Sequence, residues 1–222
     1  MTPRFAFFDV DDTLIRVKSM FDFYRFWALD WHYDSNMLER FETSFETLRW
    51  EGASRETLNR AYYHHFMGFR MSELEEAGAA WAGIHLAKPN EFFFAVSVRR
   101  LRDLQALDTQ PVFVSGSFWA LLAPVAQHLG VQHSLNSCLS MTVDKVLTGE
   151  IESPQIIGEG KAIAVRRFLA DRNANSSLCF AFGDDLSDLP MLNAVGNPVA
   201  VGDRSPLAIH ANKLNWEVLT TA

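Results

Sequence analysis

Phe5-Ala6-Phe7-Phe8-Asp9-Val10-Asp11-Asp12-Thr13-Leu14-Ile15 is an apolar run that ends in a cluster of carboxylates. Phe5 to Phe8 have the continuous hydrophobicity of a strand buried on both faces, the signature of a parallel sheet. Asp9, Asp11 and Asp12 follow at once, and crowding like charges at a strand end is unfavourable unless a cation or a proton holds them together. A hard divalent cation such as Mg²⁺, which takes carboxylate and carbonyl oxygens, is the simplest explanation.

Outward from this stretch the pattern changes. From about residue 16 to residue 89 the periodicity is helical. Met20, Phe23, Tyr24, Trp27 and Trp31 fall on one helical face, which reads as helical core in preference to a pocket lining. Further helices are predicted over Ser35–Trp50, Ser54–Phe66 and Ser72–Ile84, the last two starting with a serine N-cap and an early acid. Strand and helix then alternate. Glu91–Leu107 predicts a helix, Pro111–Ser115 a strand, and Phe118–Leu129 a helix stopped by Gly130. Leu139–Val143 and Val146–Ile151 suggest a hairpin. Gly160–Asp171, Ser187–Val195 and Ser205–Ala211 predict helices, with strands at Ser177–Phe182 and Pro198–Val201. The expectation is an α/β fold: a Rossmann-like parallel sheet with helices on both faces. Residues 1–15 and 90–222 would form the core domain, and 16–89 an inserted helical cap domain.

Composition narrows the function. The 222 residues are 48% hydrophobic, enough for a sizeable core, and carry a formal net charge of −7. The densest basic stretch is Arg99-Arg100-Leu101-Arg102, so there is no basic tract for nucleic-acid binding. No apolar run approaches the roughly 18–20 residues of a membrane span. The start Met1-Thr2-Pro3-Arg4 enters the first strand directly, leaving no room for a signal peptide. The two cysteines, Cys138 and Cys179, are expected as reduced thiols, with Cys138 a small buried side chain. Together these point to a soluble, cytoplasmic protein.

In a parallel α/β sheet, ligands bind beyond the carboxyl ends of the strands. Three polar clusters fall there: Asp9/Asp11/Asp12/Thr13, then Ser115-Gly116-Ser117, then Gly183-Asp184-Asp185 with Ser187 and Asp188. Lys161 opens the helix before the third. A lysine there opposes the helix dipole, which a nearby anion would explain. Each piece alone is weak, and their order is the signal.

In that order the chain resembles the haloacid dehalogenase-like hydrolase superfamily. Asp9-Val10-Asp11-Asp12-Thr13 looks like its first motif, Ser115-Gly116 its second, Lys161 its third, and Gly183-Asp184-Asp185 with Asp188 its fourth. The hairpin before Gly158-Glu159-Gly160-Lys161 and the run Ser187-Asp188-Leu189-Pro190-Met191-Leu192 look most like the phosphoserine-phosphatase-like branch, which inserts a helical cap after the first motif. The resemblance implies a Mg²⁺-dependent phosphatase of a small phosphorylated metabolite. Asp9 would be the nucleophile forming an aspartyl-phosphate, and Asp11 the general acid and base. Mg²⁺ would be held by Asp9, Asp184 and the Asp11 carbonyl, with Asp188 reaching it through water and Asp185 as the alternative. Lys161, Ser115 and the neighbouring Gly116 would bind the phosphoryl group.

Phosphoserine phosphatases place a glutamate nine residues after the nucleophile, to meet the substrate ammonium. This chain has Lys18 there. Lys18 either meets an anion or a neutral polyol on the substrate, or points to solvent, and in the first case phosphoserine is disfavoured. A hydrolytic dehalogenase would share the nucleophile but needs neither a general acid such as Asp11 nor a metal. A phosphotransferase or phosphomutase acting on a sugar phosphate remains an alternative, as does a non-catalytic phosphometabolite-binding protein. The latter should have lost one of Asp9, Asp11, Lys161 or Asp184.

Overall fold

The computed structural model describes residues 2–221. Strand β1 (Arg4–Phe8) lies inside a six-stranded sheet, with β2 (Thr109–Phe118) on one side and β6 (Phe180–Gly183) on the other. The sheet continues outward to β3 (His133–Ser137) beyond β2, and to β7 (Asn197–Val201) and β8 (Glu217–Leu219) beyond β6. Every pairing in it is parallel. This central place explains the unbroken hydrophobicity of β1. Phe5 and Phe7 pack edge-on against Phe168 of helix α8 (Glu159–Asp171), with centroids 4.9 and 5.6 Å away. Phe8 points to the other face and stacks on Phe182 at 4.2 Å. A two-stranded antiparallel hairpin, β4 (Leu139–Met141) and β5 (Leu147–Ile151), stands beside the sheet where the sequence suggests one.

Between β1 and β2 the chain forms the helices of a cap. They are α1 (Ser19–Phe26), which runs on through a π-helical turn at Trp27–Trp31, α2 (Ser35–Trp50), α3 (Arg55–His64) and α4 (Met71–Leu86). Asp34 caps α2 by accepting from the N–H groups of Asn36 and Met37, and Ser54 caps α3 by accepting from Thr57 N–H. Of the predicted aromatic stripe, Phe23, Tyr24 and Trp27 are buried, whereas Met20 and Trp31 are only partly so. The cap does not merely sit on the sheet. Its aromatic rings form one continuous core with the sheet face that carries Phe8, Phe113 and Phe182. Phe118, at the end of β2, joins the two: it meets Phe23 at 5.7 Å and Phe66 and Tyr63 at 6.0 Å.

The structure departs from the sequence reading in several places. The single helix predicted over Glu91–Leu107 is two, α5 (Pro89–Phe92) and α6 (Ala95–Ala106). Between them Phe93 bridges Ile15 in antiparallel fashion, and Phe94 N–H donates to the Leu14 carbonyl at 2.9 Å. Arg16 N–H donates to Phe92 O at 2.8 Å, and the Arg16 guanidinium lies 4.4 Å from the Phe94 ring. The segments entering and leaving the cap therefore pair, and this non-local ladder overrides helical propensity. The strand predicted over Pro111–Ser115 is longer, because a register shift between Ser115 and Phe118 lets β2 continue beside β3. Strands β3 and β8 both lie in stretches given no strand at all. Cys138 is exposed rather than buried, since Ser137 and Leu139 on either side turn inward and alternation carries it outward. Cys179 is buried, and both thiols are free.

The remaining helices, α7 (Trp119–Leu129), α9 (Leu189–Leu192) and α10 (Pro206–Lys213), complete the layers on the sheet. No helix among the described residues is long and apolar enough to cross a membrane.

Truncating Phe118 should show the shared core. Phe118→Ala is expected to destabilise the fold by about 3–5 kcal/mol, read as a lower midpoint in urea unfolding. Tryptophan fluorescence, to which the cap contributes Trp27, Trp31, Trp50 and Trp81, should move with far-UV circular dichroism in one transition. Two separate transitions would show a cap that unfolds alone.

Candidate functional site

The carboxyl ends of β1, β2 and β6 meet beneath the cap, around a cavity of about 320 Å³. Asp9 and Asp11 follow β1, Ser115 and Gly116 lie near the carboxyl end of β2 at its register shift, and Asp184 follows β6. Lys161 comes from the first turn of α8, Asp188 from a short 3₁₀ turn after β6, and Lys18 from the entry to α1. All eight residues singled out in the sequence line this one cavity.

Its floor is a buried ion-pair cluster. The Lys161 ammonium donates to Asp9 Oδ1 and to Asp188 Oδ1, both at 2.7 Å. Lys161 is thus no surface lysine; it is 6% exposed. Gly183 is needed beneath it, because a β-carbon there would come within 2.6–2.8 Å of the Asp188 carboxyl. Oxygens of Asp9, Asp184 and Asp188 lie within 4.8 Å of one another, and these three carboxylates can hold a metal ion. The donor set is all oxygen and suits a hard divalent cation. One lysine does not neutralise three clustered carboxylates, two of them buried, so the charge balance also calls for one. Asp188 belongs to this cluster directly, whereas the Asp11 carboxylate is not part of it. Thr13 turns Asp184 by donating to its Oδ1 at 3.1 Å.

Asp11 is held differently. Its Oδ2 accepts from Ser19 N–H at 3.0 Å, whereas its buried Oδ1 has no partner among the described residues. Asp12 adopts a left-handed turn (φ 59°) and pairs with Lys18 at 2.6 Å. Ser115 is buried and its hydroxyl accepts from Ser117 N–H at 3.1 Å. The Gly116 carbonyl is fixed by Ser137 Oγ at 2.8 Å, Asn59 Nδ2 at 3.1 Å and the Tyr63 hydroxyl. Two cap residues thereby grip the irregular carboxyl-terminal part of β2.

Burial dominates the titration of the site. It pushes the Asp9 carboxyl up to about 8, with Asp188 and Asp184 adding to the rise and Lys161 opposing it. Burial and the Asp9 charge lift Asp11 to about 7. Burial and Asp188 lift Asp184 to about 6. Burial works against the Lys161 ammonium, yet the charges of Asp188 and Asp9 more than reverse it and raise its pKa.

Several cavity residues have no part in the motifs. Arg55 opens α3 and reaches back to the core, donating to Asp185 at 2.9–3.0 Å and to Ser187 Oγ at 2.9 Å. The argument that singled out Lys161, a cation in a helix's first turn, applies equally to Arg55. Asp185 is consequently occupied by Arg55 and by Ser187 N–H rather than by the carboxylate cluster. Arg49, Asn59 and Tyr62 also line the cavity; only the packing of α2 and α3 brings them there. His64 and His65 do not: His65 bonds Ser44 Oγ at 3.0 Å, and His64 lies 3.8 Å from Glu150.

The chain and its fold have known counterparts. The chain matches the haloacid dehalogenase-like hydrolase family over residues 6–193 and belongs to it. It is 28% identical over 218 residues to the phosphoserine phosphatase SerB1 of Mycobacterium tuberculosis, covering 96% of this chain and 69% of that protein. A protein of unknown function from Bordetella pertussis Tohama I has the same fold over the full length of both chains, with a TM-score of 0.85 at 24% identity. A phosphoserine phosphatase in a phospho-aspartyl intermediate analogue form superposes with a TM-score of 0.67 at 16% identity, over 100% of this chain and 95% of that one.

The raised carboxyl pKa values set a pH dependence. Without a cation, the folded state keeps protons that the unfolded chain releases near pH 4. The stability of the metal-free protein should therefore fall as pH rises from about 4 to about 8. A divalent cation must displace those protons, so Mg²⁺ should bind more tightly across pH 6–8 and raise the melting temperature most at the upper end. Thermal melts with and without 10 mM-scale Mg²⁺ (about that concentration, enough to saturate a weak site) would check both slopes.

Proposed function

We propose that this chain is a Mg²⁺-dependent phosphatase of the phosphoserine-phosphatase-like branch, hydrolysing a small phosphomonoester through an aspartyl-phosphate. The observation that carries the reading is Asp9: a buried carboxylate at the end of β1, bound to Lys161 at 2.7 Å and clustered with Asp184 and Asp188. Mg²⁺ bound at these carboxylates, together with the Asp11 carbonyl, supplies positive charge that offsets the phosphate dianion. Lys161 supplies a further positive charge, and Ser115 and Gly116 border the space for the phosphoryl oxygens.

Asp9 attacks phosphorus, the P–O bond to the alcohol breaks, and Asp11 passes its proton to the departing oxygen. Asp11 then takes a proton from water as that water attacks the aspartyl-phosphate, releasing inorganic phosphate and restoring Asp9. Burial holds the Asp11 carboxyl above the usual carboxylate range, the direction a general acid requires. Ser19 N–H fixes one Asp11 oxygen and leaves the other free for this proton. Residues 1–15 and 90–222 act as the catalytic core, and residues 16–89 as the cap that excludes water and contacts the leaving group.

SerB1 is named for phosphoserine, and the similarity supports a related small substrate. Lys18 argues against phosphoserine itself. It lines the cavity, half-exposed, where an ammonium would meet a like charge.

Phosphate release from a panel of phosphometabolites at neutral pH should require Mg²⁺ and stop with EDTA. Asp9→Asn should lower turnover at least about a thousandfold, and Asp11→Asn about 10²–10⁴-fold. Metal-dependent release that persists in Asp9→Asn would overturn the reading.

A further inference from the structure

Four basic side chains line the cavity, and three are committed. Lys161 bridges Asp9 and Asp188, Lys18 pairs with Asp12, and Arg55 pairs with Asp185. Arg49 forms no ion pair among the described residues. Aromatic faces hold it instead: its guanidinium carbon is 5.4 Å from the Phe21 centroid and 5.8 Å from that of Phe45. Stacking of this kind positions a guanidinium while leaving its N–H fork available to an oxyanion.

Tyr62 lines the same cavity, one helix further along. Its side chain is fully buried, yet its hydroxyl has no hydrogen-bond partner among the described residues. Buried tyrosine hydroxyls are almost always satisfied. The neighbouring Tyr63 is, through the Gly116 carbonyl. Burial keeps the Tyr62 phenol protonated, so what it lacks is an acceptor. An unpaired cation and an orphaned donor on the cap side of one cavity both call for an anion.

The same wall offers nothing to a cation. The cavity residues contributed by α1, α2 and α3 include Met20, Phe21, Arg49, Leu58 and Tyr62, and none is acidic. The lining carboxylates are all on the core side, in the metal cluster, at the general-acid position or paired with Arg55.

We infer that Arg49 and Tyr62 form a leaving-group subsite for a second anionic group, so that the substrate is a phosphomonoester whose alcohol carries a carboxylate or a further phosphate and no ammonium. This rests on the phosphatase reading and specifies the substrate class for it. Phe21, Leu58 and Met20 supply an apolar surface for the carbon skeleton between the two anions.

Four matched phosphonates test it by calorimetry in the presence of Mg²⁺: 3-phosphonopropionate, propane-1,3-diphosphonate, propylphosphonate and 3-aminopropylphosphonate. At least one of the first two should bind about tenfold or more tightly than propylphosphonate, as a charged hydrogen bond would give. Which of them does so separates carboxylate from phosphate, and the amine should gain nothing. Arg49→Gln should bring the ratio close to one, Arg49→Lys should restore part of it, and Tyr62→Phe should reduce it several-fold. Equal binding of all four, no binding by any, preference for the amine, or a preference for the anionic probes that Arg49→Gln leaves intact would each overturn the inference. These probes are not hydrolysed. A preference that persists although no phosphomonoester is turned over would sink the phosphatase reading alone and leave the subsite standing.

Discussion

Everything at the floor of this molecule depends on where Lys161 goes. Its ammonium is buried between Asp9 and Asp188, two residues far apart in the chain and attached to different strands. A buried charge without partners costs several kcal/mol, so the first turn of α8 and the ends of β1 and β6 must assemble together. Gly183 lets Asp188 come close enough, and Thr13 turns Asp184 beside it. The assembly overshoots in negative charge, and that excess is what a divalent cation would relieve. Carboxylates crowded in this way make the site a receptor for a cation before anything else.

The cap is built to another rule. It is held by aromatic packing, with Tyr24 on Phe41 at 3.9 Å and Phe23 against Phe118. Polar ties between cap and core occur at the cavity rim, where Asn59 and Tyr63 grip the Gly116 carbonyl and Arg55 reaches Asp185. Exposed pairs such as Arg55–Asp185 contribute little to stability, of the order of 1 kcal/mol or less. Their value is positional. They fix the height of the cap above the carboxylate cluster while the aromatic core supplies the packing energy.

Much of this is legible in the chain. A strand buried on both faces must read as Phe-Ala-Phe-Phe, and acids placed directly after it cannot be explained by the fold. The catalytic cluster is thus visible because its residues abut strands whose pattern is unmistakable. The helix break at Phe93–Phe94 is invisible because its cause, the Leu14–Arg16 backbone, lies some eighty residues earlier. Arg49 and Tyr62 are hidden for a related reason: each is an ordinary helix residue until α2 and α3 pack side by side. Strand β8 is short, half-buried and at the sheet edge, where alternation has little room to show. Local pattern reveals what local burial demands, and the cavity roof is set by contacts between distant segments.

The paired crossings at Leu14–Arg16 and Phe92–Phe94 carry a consequence of their own. An insert whose two ends are stitched together presents the sheet with a closed loop, however much chain lies between them. Helices can be added to it, removed or resurfaced without pulling β1 away from β2, because the stitch absorbs the difference. Selection can therefore redraw the roof of the pocket while the floor keeps its chemistry, and a new substrate demands no new catalyst.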